Sequence, residues 1–117
     1  VVDIIVSLSA ATICFLGQCH PVLVGNKTPL GDFPVVHMVT QQAGYGGDIL
    51  AFAEDKHQIY AVHRIWTLNP KQQRIERIQS NNVKERQGIT GGCVNVMPQV
   101  YDELLDCCSK GTLHIVP

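Results

Sequence analysis

Apolar and polar positions run in short blocks through the first half of the chain. Residues 2–8, 11–16 and 19–24 are apolar or β-branched, and Ser9-Ala10 and Gly17-Gln18 separate them. Blocks of this length bounded by turn formers predict strands. Gly25-Asn26-Lys27 and Thr28-Pro29-Leu30-Gly31 are turn chemistry, with proline fixing φ and glycine free to take positive φ. Residues 33–40 resume an extended pattern, and Pro34 marks an edge or strand-start position. A glycine-rich loop at residues 43–47 surrounds Tyr45. Residues 48–53 and 58–64 then predict two strands joined across Glu54-Asp55-Lys56.

Helical spacing is confined to two places. Asn69-Pro70 is a favourable N-cap and first-turn pair, and Ile75 and Ile78 share one face of residues 71–79. Pro98 opens a second helix whose apolar stripe is Val100, Tyr101, Leu104, Leu105 and Cys108. Gly111 stands just past its end. Residues 112–116 return to a strand pattern, and no repeat or low-complexity segment interrupts the chain. The fold class is mostly β, of α+β type, with one or two short helices.

With 117 residues, 45% of them apolar, residues 1–117 form one domain around a single modest core. A net charge of −1 argues against a polyanion partner. The basic stretch Lys71, Arg74, Arg77, Lys84 and Arg86 is interrupted by Glu76 and Glu85 and lacks interleaved aromatics. It reads as a solvated helix face and loop, so no nucleic-acid partner is expected. No apolar run is long enough to span a bilayer. Residues 1–6 are apolar, but Asp3 interrupts them and no basic residue precedes them, so they read as a first strand rather than a signal peptide. The chain begins without Met, as a mature form trimmed of its targeting segment would.

Five cysteines are many for this length. Cys14 and Cys19 flank four residues able to close a hairpin, and Cys107 and Cys108 are adjacent near the end of the second helix. No C-x-x-C pair occurs and the histidines are scattered singly, so no metal site and no cofactor are expected. In an oxidising compartment these four cysteines allow two disulfides in three connectivities and leave Cys93 free.

The segment Ile89-Thr90-Gly91-Gly92-Cys93-Val94-Asn95-Val96 carries the most chemistry. Two glycines let the backbone turn sharply before the thiol, so that successive amides can point at one place, as an oxyanion hole requires. The plainer reading is a tight turn before a buried core cysteine. His63 ends the apolar run Ile59-Tyr60-Ala61-Val62. An imidazole beside a thiol lowers the thiol pKa and yields thiolate at neutral pH, which makes Cys93 and His63 a candidate nucleophile and base.

The order Thr28-Pro29-x-Gly31-x-Phe33, a strand ending in His63, Thr90-x-Gly92-Cys93-x-Asn95, a helix, and Gly111-Thr112-x-x-Ile115 resembles the L,D-transpeptidase (YkuD-like) catalytic domain. The likeness runs from about Val24 to the C-terminus. Two features depart from it. The commoner pattern has histidine where this chain has Gly91, and the interval from His63 to Cys93 is longer than in the shortest family members. The added residues, from the Pro70 helix to Arg86, read as a lid, a partner surface or a plain surface insertion.

That resemblance implies a β-sandwich and bacterial cell-wall chemistry in an exported, periplasmic or envelope protein. Cys93 would attack a peptidoglycan stem peptide between its third residue and the fourth D-residue, forming a thioester. His63 would take the thiol proton and later activate an incoming amine. Amides of Gly91, Gly92 and Cys93 would hold the oxyanion, Thr90 would orient the turn and Asn95 would brace it. Tyr45 would line the donor groove or sit in a strand-joining loop with no ligand, and Arg64 or Arg86 would meet a stem-peptide carboxylate. The acceptor is open: another stem peptide, a lysine of a wall-anchored protein, a free D-amino acid, or water in an L,D-carboxypeptidase. A papain-like endopeptidase places its cysteine at a helix start ahead of its histidine, the reverse of the order here. A binding module of the same fold without turnover is the remaining alternative, and Gly91 is its support.

Overall fold

The computed structural model describes residues 2–42 and 44–117. Val1, at the head of the first apolar run, and Ala43, at the start of the glycine-rich loop, lie outside the described residues. Strand β1 (Asp3–Ser7) pairs antiparallel with β2 (Thr12–Phe15), which pairs with β3 (Gln18–Pro21). The β2–β3 turn is Leu16-Gly17, both at positive φ, rather than the Gly17-Gln18 break that composition suggests. That conformation matches the twist of a two-residue hairpin. It sets Cys14 opposite Cys19, and these two are joined by a disulfide.

The expected single strand over residues 33–40 is instead two. Strand β4 (Gly31–Pro34) adds antiparallel to β9 (Thr112–Val116), whereas β5 (Val36–Met38) adds to β6 (Ile49–Glu54) in a different sheet. Pro34 has no amide to donate to a ladder, so the chain leaves one sheet there and enters the other. Five strands in the order β3-β2-β1-β9-β4 make the first sheet. β5-β6-β7-β8 make the second, with β7 (Ile59–Arg64) and β8 (Val94–Val96) parallel. The two sheets pack face to face. Ile4, Val6, Ile13, Leu113 and Ile115 from one meet Leu50, Phe52, Val62, Val94 and Val96 from the other, and all are buried. The mostly β, α+β class agrees with the sequence reading.

Helix α2 (Pro98–Cys108) turns Val100, Tyr101, Leu104 and Cys108 into the same core, and Cys107 and Cys108 are disulfide-bonded. The first helical segment is shorter than the expected 71–79. Asn69 caps a single 3-10 turn, Pro70–Gln72, through Lys71 N–H. Gln73 then takes the left-handed conformation, and α1 (Arg74–Ile78) follows. The break costs one residue in αL and lets Ile78 bury beside Leu23 and Ile65. No helix among the described residues is long and apolar enough to cross a membrane.

Candidate active site

Strand alternation builds the site. Along β7, Tyr60 and Val62 face the inter-sheet core, so Ile59, Ala61 and His63 face the other way. Along β8 the same rule sends Val94 and Val96 inward and Asn95 outward. The parallel register places His63 directly beside Asn95. Cys93 lies two positions before Asn95, about 6.6 Å back along the strand direction, on the same outward face. Tyr45 folds over this face, its ring edge-on to His63 with centroids 5.2 Å apart and its hydroxyl donating to Ile59 O at 3.2 Å. Cys93, His63, Asn95, Tyr45 and Thr90 thus share one cavity of about 280 Å³.

Thr90 closes the turn that carries the thiol. Its Oγ1 donates to Cys93 O at 2.6 Å and accepts the Gly92 amide at 3.2 Å. Gly92 sits at φ +128°, and a Cβ there would strike the Tyr60 ring, so only glycine fits. Gly25, at the preceding turn, likewise leaves no room for a Cβ against the Thr90 carbonyl. The Gly92 amide is therefore not the free oxyanion donor that the sequence suggests. Among the described residues, the Gly91 and Cys93 amides have no such partner. The carbonyl of Gly91, where the commoner pattern has histidine, accepts Gln58 Nε2 at 2.8 Å.

His63 is buried, 4% exposed, and both its nitrogens are engaged. Nδ1 lies 2.7 Å from Arg64 O and Nε2 lies 3.2 Å from Asn95 Nδ2. A carbonyl only accepts, so Nδ1 carries the proton and Nε2 is the basic nitrogen. Burial pushes the imidazole down to about 4, against the pull of the Arg64 carbonyl and with a push from the Arg74 charge. Burial also raises the Cys93 thiol, outweighing the Ala61 amide and Arg74, which favour thiolate. The thiol donates to Ile59 O at 3.7 Å. The resting pair is consequently neutral. The expectation of a preformed thiolate is corrected, because desolvation disfavours both charges of an ion pair here.

Two predicted binding residues are engaged elsewhere. Arg86 is buried, and its guanidinium donates to the carbonyls of Ala11, Ser80 and Ala10 at 3.3, 2.6 and 2.9 Å. It ties the inserted loop to the β1–β2 turn and does not line the cavity. Arg64 stacks on Tyr101, 4.2 Å from the ring centroid, and pairs with Asp48 at 2.9 Å. Burial of Asp48 is outweighed by hydrogen bonds from His37 and Arg64, which hold its carboxyl at about 2. Arg64 contributes to the site through its backbone carbonyl alone. Asn95 braces His63 rather than the nucleophile turn.

The basic stretch is also not simply a solvated face, since Arg74 lines the cavity. Its Nη1 donates to Asn95 Oδ1 at 2.7 Å and its Nε to Gln72 Oε1 at 2.8 Å, and it lies over the Trp66 ring. Helical spacing gave no sign of this, because Gln73 in αL turns Arg74 out of the register that a continuous helix would impose. Among the described residues, no three His, Cys, Asp or Glu side chains converge as a metal site would need.

Comparison with known proteins assigns the fold. No protein-family model matches the sequence, and no curated protein matches it significantly. Solved structures do match. An L,D-transpeptidase from Mycobacterium tuberculosis H37Rv superposes with a TM-score of 0.66 at 12% identity, over 99% of this chain and 57% of that one. L,D-transpeptidase 3 from Mycobacterium tuberculosis, solved with a faropenem-derived adduct, gives 0.64 at 11% identity, over 99% and 60%. The helical cell shape determining protein Pgp2 from Campylobacter jejuni gives 0.61 at 10% identity, over 98% and 46%. The chain has the L,D-transpeptidase (YkuD-like) fold. It spans between 46% and 60% of the length of these three solved chains.

Proposed function

We propose that this chain is a cysteine L,D-transpeptidase domain acting on peptidoglycan stem peptides through a Cys93 thioester. The observation that carries the proposal is the shared cavity of Cys93 and His63, with Nδ1–H of the imidazole held on Arg64 O, so that Nε2, which accepts from Asn95 Nδ2, is the basic nitrogen. The thiol rests on Ile59 O and Nε2 on Asn95 Nδ2, so each exchanges that contact for the other as substrate enters. A neutral thiol with a neutral imidazole suits an attack in which the proton moves as the sulfur–carbon bond forms. Cys93 Sγ adds to the carbonyl of the third stem residue, and His63 Nε2 takes the thiol proton. Amides of Gly91 and Cys93 hold the oxyanion. The carbon–nitrogen bond breaks, and the proton passes from His63 to the departing amine of the fourth residue. An incoming amine, deprotonated by the same Nε2, then attacks the thioester and restores the thiol. Water in that role gives trimming instead of a cross-link, protein attachment or exchange.

Such a protein works outside the cytoplasmic membrane, where two disulfides persist and Cys93 is the free thiol. Mass spectrometry after incubation with disaccharide tetrapeptide tests the reading. An adduct on Cys93 that lacks the terminal D-residue is the expected product. An unmodified chain with intact substrate, after Cys93 is shown to be reduced, overturns the proposal.

A further inference from the structure

The cavity around Cys93 holds one arginine and, among its described lining residues, no carboxylate. Arg74 has no acidic side chain within 4.0 Å among the described residues, unlike Arg64 with Asp48. A guanidinium has five N–H donors in a planar fork. Two are spent on Gln72 Oε1 and Asn95 Oδ1, which fix its plane, and the Trp66 ring lies 5.0 Å from its carbon. The remaining three have no protein acceptor among the described residues. An oriented fork with spare donors, stacked on an indole and set in a cleft, suits a bidentate carboxylate.

Its position says which carboxylate. The amine that departs from the thioester must reach His63 Nε2 to collect its proton. That nitrogen contacts Asn95 Nδ2, and the other end of the same amide contacts Arg74. In a terminal amino acid one carbon separates the amine nitrogen from the α-carboxylate. The chain His63–Asn95–Arg74 is thus laid out along the departing residue. We propose that Arg74 binds the free α-carboxylate of the leaving D-residue and so reads the end of the donor peptide. This rests on the transpeptidase reading above. The same subsite receives a free D-amino acid when exchange runs in reverse, because its carboxylate sits where the departing one sat.

The test compares a stem tetrapeptide as free acid with its C-terminal carboxamide, on wild type, Arg74→Lys and Arg74→Gln, with folding checked by circular dichroism. Wild type is expected to acylate from the acid about 10- to 100-fold faster than from the amide, the range for losing a charged hydrogen-bonded pair. Arg74→Gln removes that preference by slowing the acid reaction, and Arg74→Lys restores part of it. A merely structural role would slow both substrates equally and leave the ratio unchanged, which would overturn the inference. Equal use of acid and amide by wild type would overturn it while leaving the transpeptidase reading intact. No adduct from either substrate would overturn both.

Discussion

His63 and Asn95 face each other across the parallel pair β7–β8, with Nε2 and Nδ2 3.2 Å apart. The amide orientation follows from Arg74, which can only donate and therefore takes Asn95 Oδ1. The NH₂ group is left to face the imidazole, and a donor facing Nε2 requires that nitrogen to be unprotonated. Asn95 consequently selects the tautomer as well as the ring position.

Asn95→Ala should lower kcat about 10- to 100-fold, the scale of a small misplacement of a reacting group. Asn95→Asp should act differently. A carboxylate beside the ring favours imidazolium, so the acid limb of kcat/KM, expected to fall through about pH 4 in wild type, should move to higher pH. The check is a pH–rate profile on both variants. An acid limb that stays in place in Asn95→Asp would rule out the contact as the determinant of the ring's proton.

Cys93 should rest as an un-ionised thiol and alkylate only through its thiolate fraction. Burial holds its pKa above the ordinary thiol range, so the iodoacetamide rate should keep rising past about pH 8.5. Thiol counting on native, oxidised protein should give a single reactive group, Cys93, since the other four are paired. A rate already at plateau by neutral pH would mean a resting thiolate and would contradict the neutral pair.

How far the sequence reached depended on whether a feature was local. Period-two alternation marks β1 and β9, which bury one face, whereas β6 and β7 are buried on both faces and stand out as continuous apolar runs. The Gly91-Gly92-Cys93 turn announces itself through glycine. The break at Pro34 was visible as a residue that cannot pair, but nothing local says that the chain changes sheets there. Arg74 goes unassigned in the sequence, and Arg86 is assigned to substrate rather than to the fold, for a related reason. Both are carried by the inserted segment, whose side chains find partners 21 and 75 residues away in sequence, at Asn95 and Ala11. Charge spacing within a segment carries no information about carbonyls and amides brought to it by the fold. The thiolate expectation failed on burial, a quantity that only packing determines.

Two histidines should give opposite pH dependences of stability. His63 has a folded pKa depressed to about 4. The unfolded chain binds the proton more tightly, so its contribution is present above about pH 6.5 and is lost as pH falls toward 4, up to about 3 kcal/mol. His114 lies between Asp3 and Asp32, at 2.9 and 2.7 Å, and those hydrogen bonds raise its pKa. Its contribution is present below about pH 6.5 and is lost as pH rises through the raised value. Urea titrations between pH 4 and 8 on wild type, His63→Gln and His114→Gln separate the two. Removing His114 should cost stability at pH 5.5 and little at pH 8. The reverse ordering would contradict the assigned ion pairs.

Arg86→Met should destabilise without touching chemistry. One buried and two part-buried carbonyls lose their donor, a loss of about 2–5 kcal/mol, and the inserted loop loses its tie to the β1–β2 turn. At a temperature where the variant remains folded, KM for the stem peptide should be that of wild type. A raised KM with unchanged urea midpoint would instead make Arg86 a substrate residue.

Gly92→Ala tests the turn that presents the thiol. Two costs combine there: a side chain at φ +128°, and a Cβ driven into the Tyr60 ring. Together they should lower stability by about 2–5 kcal/mol. The ring cannot easily retreat, because it packs in the inter-sheet core and its hydroxyl donates to Asp55 Oδ2 at 2.7 Å. In a Tyr60→Ala background the steric part vanishes and the backbone part remains, so the added cost of Gly92→Ala should fall to about 1–3 kcal/mol. A cost unchanged by removing Tyr60 would mean that backbone conformation alone demands glycine. In either background acylation should drop with the turn, since Thr90 Oγ1 holds both the Gly92 amide and the Cys93 carbonyl, and a displaced Gly92 carries the nucleophile with it.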